Sequence, residues 1–146
     1  MMKSLITSEV ITKLNNNEVF VFGSNIQGEH VGGAALVAKR EFGAIEGQGF
    51  GLQGQTYAIP TCCRYTNEKG MRYTKPFAKV SRIKPFVDVF IDEAKEMNDL
   101  LFLVTKIGCG IAGLNVEEIA ELFRPCLELD NVALPKEFYD VLLKGK

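Results

Sequence analysis

The sequence predicts an α/β protein in which helices cover both faces of one sheet. Short apolar runs that end in glycine or proline alternate with segments whose apolar residues recur at helical spacing. The run LLFLVTKI over 100–107 is the strongest strand, and it is apolar on both faces, as a covered central strand should be. With 146 residues, 47% hydrophobic and 24% charged, the chain has the size and composition of one globular domain over 1–146.

The remaining elements follow from the same patterns. The other predicted strands are 18–23, 56–60, which Pro60 terminates, and 131–135. Predicted helices are one capped by Thr7 or Ser8 and ending near 15–17, then 34–42, a segment from Ser81 through Met97, 115–123 with Asn115 as its cap, and 136–144. Gly43 is expected to end the second helix, and Pro125 to end or kink the fourth.

Two segments are predicted to be loops. Five glycines fall within 43–55, a density that argues against any helix or strand there. The stretch 61–80 is polar and basic and is expected to be a long exposed connection. Residues 46–55 are a candidate lid over a site, and the basic run 64–79 is either solvated or a flap that faces a phosphate or a partner.

Composition excludes several classes of protein. A net charge of −1 gives the chain as a whole no electrostatic footprint for nucleic acid or an anionic membrane, so neither is an expected partner. No apolar run is long enough to span a bilayer, and the N-terminus lacks the pattern of a signal peptide. The four cysteines make no metal-site spacing, so free thiols in a cytoplasmic protein are expected, with neither metal nor cofactor.

Two glycine-bearing loops each stand between a strand and a helix. The first is GEHVGGA over 28–34, and the second is IGCGIAG over 107–113. Ligands collect at the carboxyl ends of strands in open α/β sheets, where a helix N-terminus offers unpaired N–H groups and about half a positive charge. Neither loop has the Gly-Lys-Ser/Thr ending of a P-loop. The sequence therefore predicts that the two loops together hold a diphosphate without a lysine.

The same residues carry a family resemblance. The segment VFGSN over 21–25, followed after four residues by HVGGA over 30–34, resembles the first ligand loop of macrodomains, and IGCGIAGL over 107–114 resembles their second. The similarity extends over roughly 18–135 and is greatest to the divergent branch that contains the terminal ADP-ribose protein glycohydrolase. It implies a three-layer α/β/α macrodomain-like fold with a mixed, mostly parallel sheet, and ADP-ribose as the small-molecule ligand.

The resemblance also implies where that ligand lies. Asn25 would lie by the distal ribose, residues 32–34 would line one side of the pyrophosphate, and residues 108–113 would line the other. The full set of expected ligand-binding residues is Gly23, Ser24, Asn25, His30, Gly32, Gly33, Ala34, Gly108, Cys109, Gly110, Ile111, Ala112 and Gly113.

The chain departs from the family pattern at three places. Thr61 or Cys62 stands where the hydrolase branch has its nucleophilic lysine. Ala112 stands where that branch has an aspartate and where many macrodomains have an aromatic residue that packs on the ligand. The early aspartate that reads adenine is missing, and Glu9 or Glu18 is the candidate substitute. A covalent lysine/aspartate mechanism is therefore not available in this chain.

Two further residues have alternative roles. His30, the single histidine, is either an exposed residue that shapes the loop or a contact to ribose or water, in which case it is the best general-base candidate. Cys109 is expected to be a small buried residue, the alternative being a thiol activated by a helix N-terminus. No catalytic residue is assigned.

Three functions fit these observations. The first is a module that binds ADP-ribose or a related nucleotide diphosphate. The second is an ADP-ribosyl hydrolase in which Asn25 and His30 hold and activate water. The third is a protein-interaction domain that keeps the fold without the ligand. The sequence leaves the oligomeric state open.

Overall fold

A sheet of seven strands organises the part of the chain that the computed structural model describes, residues 5–109 and 113–144. The strands are β1 (Ile6–Thr7), β2 (Glu18–Asn25), β3 (Gly51–Gln53), β4 (Thr56–Thr66), β5 (Arg72–Pro76), β6 (Leu101–Val104) and β7 (Val132–Pro135). The helices are α1 (Gly33–Val37), which continues as a π-helical turn (Ala38–Phe42), then α2 (Lys84–Glu96), α3 (Val116–Leu122) and α4 (Lys136–Leu142).

The sheet is mixed and mostly parallel. Its strand order is β1-β7-β6-β2-β4-β3, and β5 pairs with β4. The pairs among β1, β7, β6, β2 and β4 are parallel, whereas β3 and β5 run antiparallel to β4. The carboxyl ends of five strands therefore meet at one edge of the sheet, which is where α/β proteins place their ligands.

Two apolar layers cover the sheet, one on each face, because successive side chains of β2 point to opposite faces. Val19 and Val21 face a large core formed with α2, α3 and α4. Phe20 and Phe22 face a smaller core formed with α1 and its π-helical turn. The predicted three-layer α/β fold is thus confirmed. Among the helices within the described residues, none is both long and apolar enough to cross a bilayer.

Most predicted helices are confirmed, with local differences. The Asn115 side chain accepts a hydrogen bond of 3.1 Å from the Glu118 N–H and caps α3, and Gly43 ends the first helical segment at φ 92°. α3 ends at Leu122, three residues before Pro125. Ser81 lies within a 3₁₀ turn (Val80–Arg82) and does not cap α2.

The predicted N-terminal helix is wrong. Ile6 and Thr7 form β1, which pairs with β7 in parallel, Ile6 opposite Leu134. Residues 8–15 form neither helix nor strand. Pairing with the edge of the sheet satisfies the backbone of β1, and this long-range contact outweighs the local capping signal of Thr7 and Ser8.

The predicted end of a strand at Pro60 is also wrong, because β4 continues to Thr66 and forms a hairpin with β5. Pro60 lies where β4 exchanges its antiparallel partner β3 for β5, beside a register shift between Ser24 and Asn25 in β2. A missing N–H is tolerated at such an irregularity. The expected exposed connection over 61–80 is therefore largely a β-hairpin.

The glycine-rich segment 43–55 is not a plain loop. It contains β3 and packs against the first glycine-bearing loop from behind. A Cβ on Gly49 would overlap the carbonyl oxygen of Asn25, and a Cβ on Gly28 would overlap the backbone of Gln48. Glycine is required at both positions because two stretches of backbone touch there.

We predict that Gly49→Ala destabilises the fold by about 3 kcal/mol, because the new methyl group overlaps backbone that has nowhere to move. Gly47→Asn is the matched control, since nothing lies within 4 Å of its Cβ position. Asparagine tolerates the left-handed conformation there, so a loss below about 1 kcal/mol is expected. Urea unfolding of both variants checks this, and equal losses would contradict the close contact.

Candidate functional site

A cleft of about 150 Å³ lies at the carboxyl edge of the parallel strands. Its walls come from the ends of β2, β4 and β6, the first turn of α1 and the loops next to them. The lining residues are Gly23, Ser24, Asn25, Glu29, Val31, Gly32, Gly33, Ala34, Ala35, Thr61, Cys62, Thr74, Thr105, Lys106, Ile107 and Gly108.

The first loop leaves β2 through Asn25, whose side chain fixes the turn. Asn25 Nδ2 donates to the carbonyl of Glu29, and Asn25 Oδ1 accepts from the Glu29 N–H, both at 2.8 Å. The hydroxyl of Ser24 donates to the carbonyl of Gly49 behind the loop. Both residues line the cleft, and these hydrogen bonds to backbone groups show that their side chains stabilise its wall.

The start of α1 forms one side of the cleft. Gly32 is extended, at φ −163°, and Gly33 has φ 58°, a conformation that favours glycine. The chain therefore turns sharply into the helix, and Gly32, Gly33 and Ala34 all line the cleft. N–H groups in a first helical turn have no acceptor inside the helix, so they are available to an anion.

The other side follows β6. Thr105 donates to the carbonyl of Val21 at 2.8 Å, which holds the end of β6 against β2. Gly108 lines the cleft at φ 78°, and its carbonyl accepts from the Leu114 N–H at 2.7 Å. Cys109 and Gly113 do not line the cleft. The predicted contacts Gly110, Ile111 and Ala112 lie outside the described residues.

His30 does not reach the cleft. Its ring is fully buried and packs edge-on against Phe22, at 5.3 Å between centroids. Nε2 lies 2.9 Å from the carbonyl of Ile45 and 3.3 Å from Gln53 Oε1, so this nitrogen carries the proton. The expected exposed position of His30 is therefore wrong, and His30 is not among the residues that line the cleft.

No activated thiol lines the described part of the cleft. Thr61 and Cys62 both lie in it, but Thr61 Oγ1 donates to the Ser24 carbonyl at 3.2 Å, and burial raises the pKa of Cys62. Burial likewise raises the pKa of Cys109, whose thiol lies well before the start of α3 at Val116. Both thiols therefore stay protonated and are poor nucleophiles.

Two charged residues of the cleft were missed by sequence reasoning. Glu29 binds both Arg64, at 3.1 Å, and Arg72, and these arginines hold its pKa below the usual range. Lys106 lies two residues after the end of β6 and pairs with Glu137 at 3.1 Å, which raises the lysine's pKa. The sequence pattern gave no signal for Lys106, because the predicted strand 100–107 was expected to continue through it.

A second cavity, of about 370 Å³, adjoins the cleft and shares Ala34, Thr105 and Lys106 with it. Its other lining residues are Thr7, Ser8, Glu9, Val10, Ile11, Phe20, Val37, Pro135 and Glu137. The buried Thr7 hydroxyl has no hydrogen-bond partner within the described residues. Glu9 thus lies beside the cleft, whereas the carboxylate of Glu18 accepts from the Asn15 N–H at 2.8 Å, outside both cavities.

Comparisons with known proteins add no relative: no family model, no curated protein and no solved structure matches the chain. Across residues 5–109 and 113–144, no three histidine, cysteine, aspartate or glutamate side chains are grouped as a metal site requires.

We predict that acid removes the stabilisation that Glu29 provides by joining the first loop to Arg72 and Arg64 of the β4–β5 hairpin. Because the folded state lowers the pKa of Glu29 below 4.5, its ion pairs stabilise the fold above that pH, and the contribution is lost as pH falls through the lowered value. The melting temperature of Glu29→Gln should therefore lie below that of the parent at neutral pH, with the difference closing in acid. Glu68→Gln, in the turn of the same hairpin, is the control; a gap that persists in acid would contradict the assignment.

Proposed function

We propose that the chain binds ADP-ribose or a related nucleotide diphosphate, with the diphosphate between the two loops. One observation carries this proposal: the first turn of α1 and the residues that follow β6 line a single cleft at the carboxyl edge of the sheet. A macrodomain-like relationship, which the sequence motifs suggest, is part of the same proposal.

The charges around the cleft suit an anion. Backbone N–H groups at the start of α1 supply a partial positive charge at one wall. Lys106 lines both the cleft and the second cavity, and its ammonium group pairs with Glu137 at 3.1 Å. A diphosphate held without a lysine was expected, and Lys106 adds a cation at this edge that Glu137 neutralises in part.

The second cavity supports a nucleotide as the ligand. The cleft alone is smaller than pockets that enclose whole small molecules, which begin at about 300 Å³. The adjoining cavity supplies the additional volume, with Val10, Ile11 and Val37 as an apolar lining for a base. Glu9 offers a carboxylate to an exocyclic amino group, and the unpaired hydroxyl of Thr7 offers a further hydrogen bond. We therefore propose Glu9 in the role of the missing early aspartate.

The cleft supports binding more than hydrolysis. Asn25 has both amide atoms bonded to the backbone of Glu29, and His30 is fully buried and does not line the cleft. Glu29 is the one carboxylate among the described lining residues of the cleft, and two arginines lower its pKa. A carboxylate with a lowered pKa is a weak general base.

We predict that Ala34→Glu abolishes binding of ADP-ribose. A glutamate in the first turn of α1 suits the helix dipole, so folding is retained, but its charge repels the diphosphate. Like charges in contact cost several kcal/mol, so titration calorimetry should record a loss of at least about a hundredfold. Val89→Glu, at an exposed position on α2, is the control. Absence of heat for the folded parent at millimolar ADP-ribose would rule out the proposal and favour a protein-interaction domain.

We predict that Glu9 distinguishes adenine from hypoxanthine. A carboxylate accepts from the adenine amino group but repels the carbonyl oxygen of hypoxanthine, so ADP-ribose should bind at least about tenfold more tightly than inosine diphosphate ribose. Glu9→Gln should bring the ratio close to one, because an amide can turn to serve either group. Glu18→Gln should leave the ratio unchanged. An unchanged ratio in Glu9→Gln would place the base elsewhere.

A further inference from the structure

Positive charge is concentrated in one segment of the chain. Residues 61–82 contain six basic residues and one acidic residue, a net charge of +5, whereas the whole chain carries −1. The rest of the chain therefore has a net charge of −6. Most of the segment forms the β4–β5 hairpin, and β5 is an edge strand that pairs with β4 alone among the described strands. The positive charge is thus presented on one exposed element.

The two faces of this hairpin differ. Arg64 and Arg72 are bound to Glu29, so their face is turned toward the mouth of the cleft. Tyr65 and Tyr73 stand directly opposite each other on β4 and β5 and, by the alternation of strands, belong to the other face. We call this second side the outer face of the hairpin.

The tyrosine pair forms an exposed aromatic surface. The ring centroids lie 5.7 Å apart with an angle of 31° between the ring planes, and each residue is 44% exposed. Contact between the two rings stabilises the hairpin. That contact leaves nearly half of each tyrosine exposed, and the exposed part of each ring is accessible to a ligand.

The hairpin and the residues that follow it carry several cations that have no acidic partner among the described residues. Lys75 lies on the outer face opposite Cys63, two positions along the ladder from the tyrosine pair. Arg82 follows the hairpin in the chain, and its guanidinium lies 5.8 Å from the centre of the Phe77 ring. Within residues 5–109 and 113–144, neither cation forms an ion pair, and neither do Lys69 and Lys79.

We propose that the outer face of the β4–β5 hairpin binds single-stranded nucleic acid, with bases stacked on Tyr65 and Tyr73 and phosphates held by Lys75 and Arg82. Stacking on aromatic rings combined with a basic surface is how proteins hold single strands without sequence preference. An acidic peptide would be attracted by the cations but would make no use of the paired rings. This site is separate from the cleft and does not depend on the ligand proposed there.

The composition of the chain provides a direct test. It contains four tyrosines and no tryptophan, and Tyr57 and Tyr139 are buried, so quenching of tyrosine fluorescence reports on Tyr65 and Tyr73. A mixed-sequence DNA single strand of about 12 nucleotides, within the usual site size of such proteins, is the probe. We expect it to quench the fluorescence at low salt, with an affinity that falls as salt rises.

Variants separate stacking from charge, with binding followed by the anisotropy of a labelled strand. The double variant Tyr65→Ala/Tyr73→Ala should lose at least about tenfold in affinity, whereas Tyr65→Phe/Tyr73→Phe should retain it, because phenylalanine also stacks. Lys75→Glu should weaken binding and reduce its salt dependence. Lys136→Glu, the same charge reversal on α4, should leave binding unchanged.

Several results would overturn the proposal: no quenching at low salt, equal affinity for polyglutamate, or full binding by the alanine variant. If circular dichroism shows that the alanine variant is unfolded, the quenching of the parent and the binding of the phenylalanine variant decide instead. Ala34→Glu should bind the strand as the parent does. Loss of strand binding in Ala34→Glu would place the strand in the cleft and refute the outer face as its site, whereas failure of ADP-ribose binding alone leaves this proposal standing.

Discussion

The contact between the first loop and the glycine-rich segment behind it determines the geometry of the candidate site. Gly28 and Gly49 let the two backbones meet without side chains between them. Hydrogen bonds from Ser24 to Gly49 and between His30 and Ile45 join the same two segments. The path of the chain from β2 into α1 is therefore fixed from behind, and the cleft takes its shape from this packing.

This construction bears on the binding role proposed for the cleft. Its polar groups are largely committed to the protein: Asn25 closes the loop, and Glu29 joins that loop to Arg64 and Arg72 of the hairpin. A loop held on both sides loses little conformational freedom when a ligand enters, so less of the interaction energy is spent on ordering it. Because these side chains already take part in hydrogen bonds and ion pairs within the protein, few side chains of the cleft are able to transfer a proton.

Local signals predicted the parts of the fold that depend on local physics. Alternating elements, the Asn115 cap and the glycine at 43 were sufficient for the three-layer fold and most helices. β1, β5 and the continuation of β4 past Pro60 were missed because each depends on a partner distant in sequence. In the site, local patterns placed Gly32, Gly33 and Gly108 at strand-to-helix loops that line the cleft, whereas the burial of His30 depends on what lies behind the loop.

The net charge of the whole chain does not describe how charge is distributed along it. A total of −1 removes nucleic acid from consideration only if charge is spread evenly, and here one hairpin and its flanks carry +5. Strand alternation then sorts the side chains of that hairpin: Arg64 and Arg72 turn toward Glu29, while Tyr65 and Tyr73 turn away. The cations that face the cleft are already neutralised in part by a carboxylate, and those of the outer face are not. One hairpin therefore stabilises the wall of the cleft on one side and presents an aromatic, cationic surface on the other.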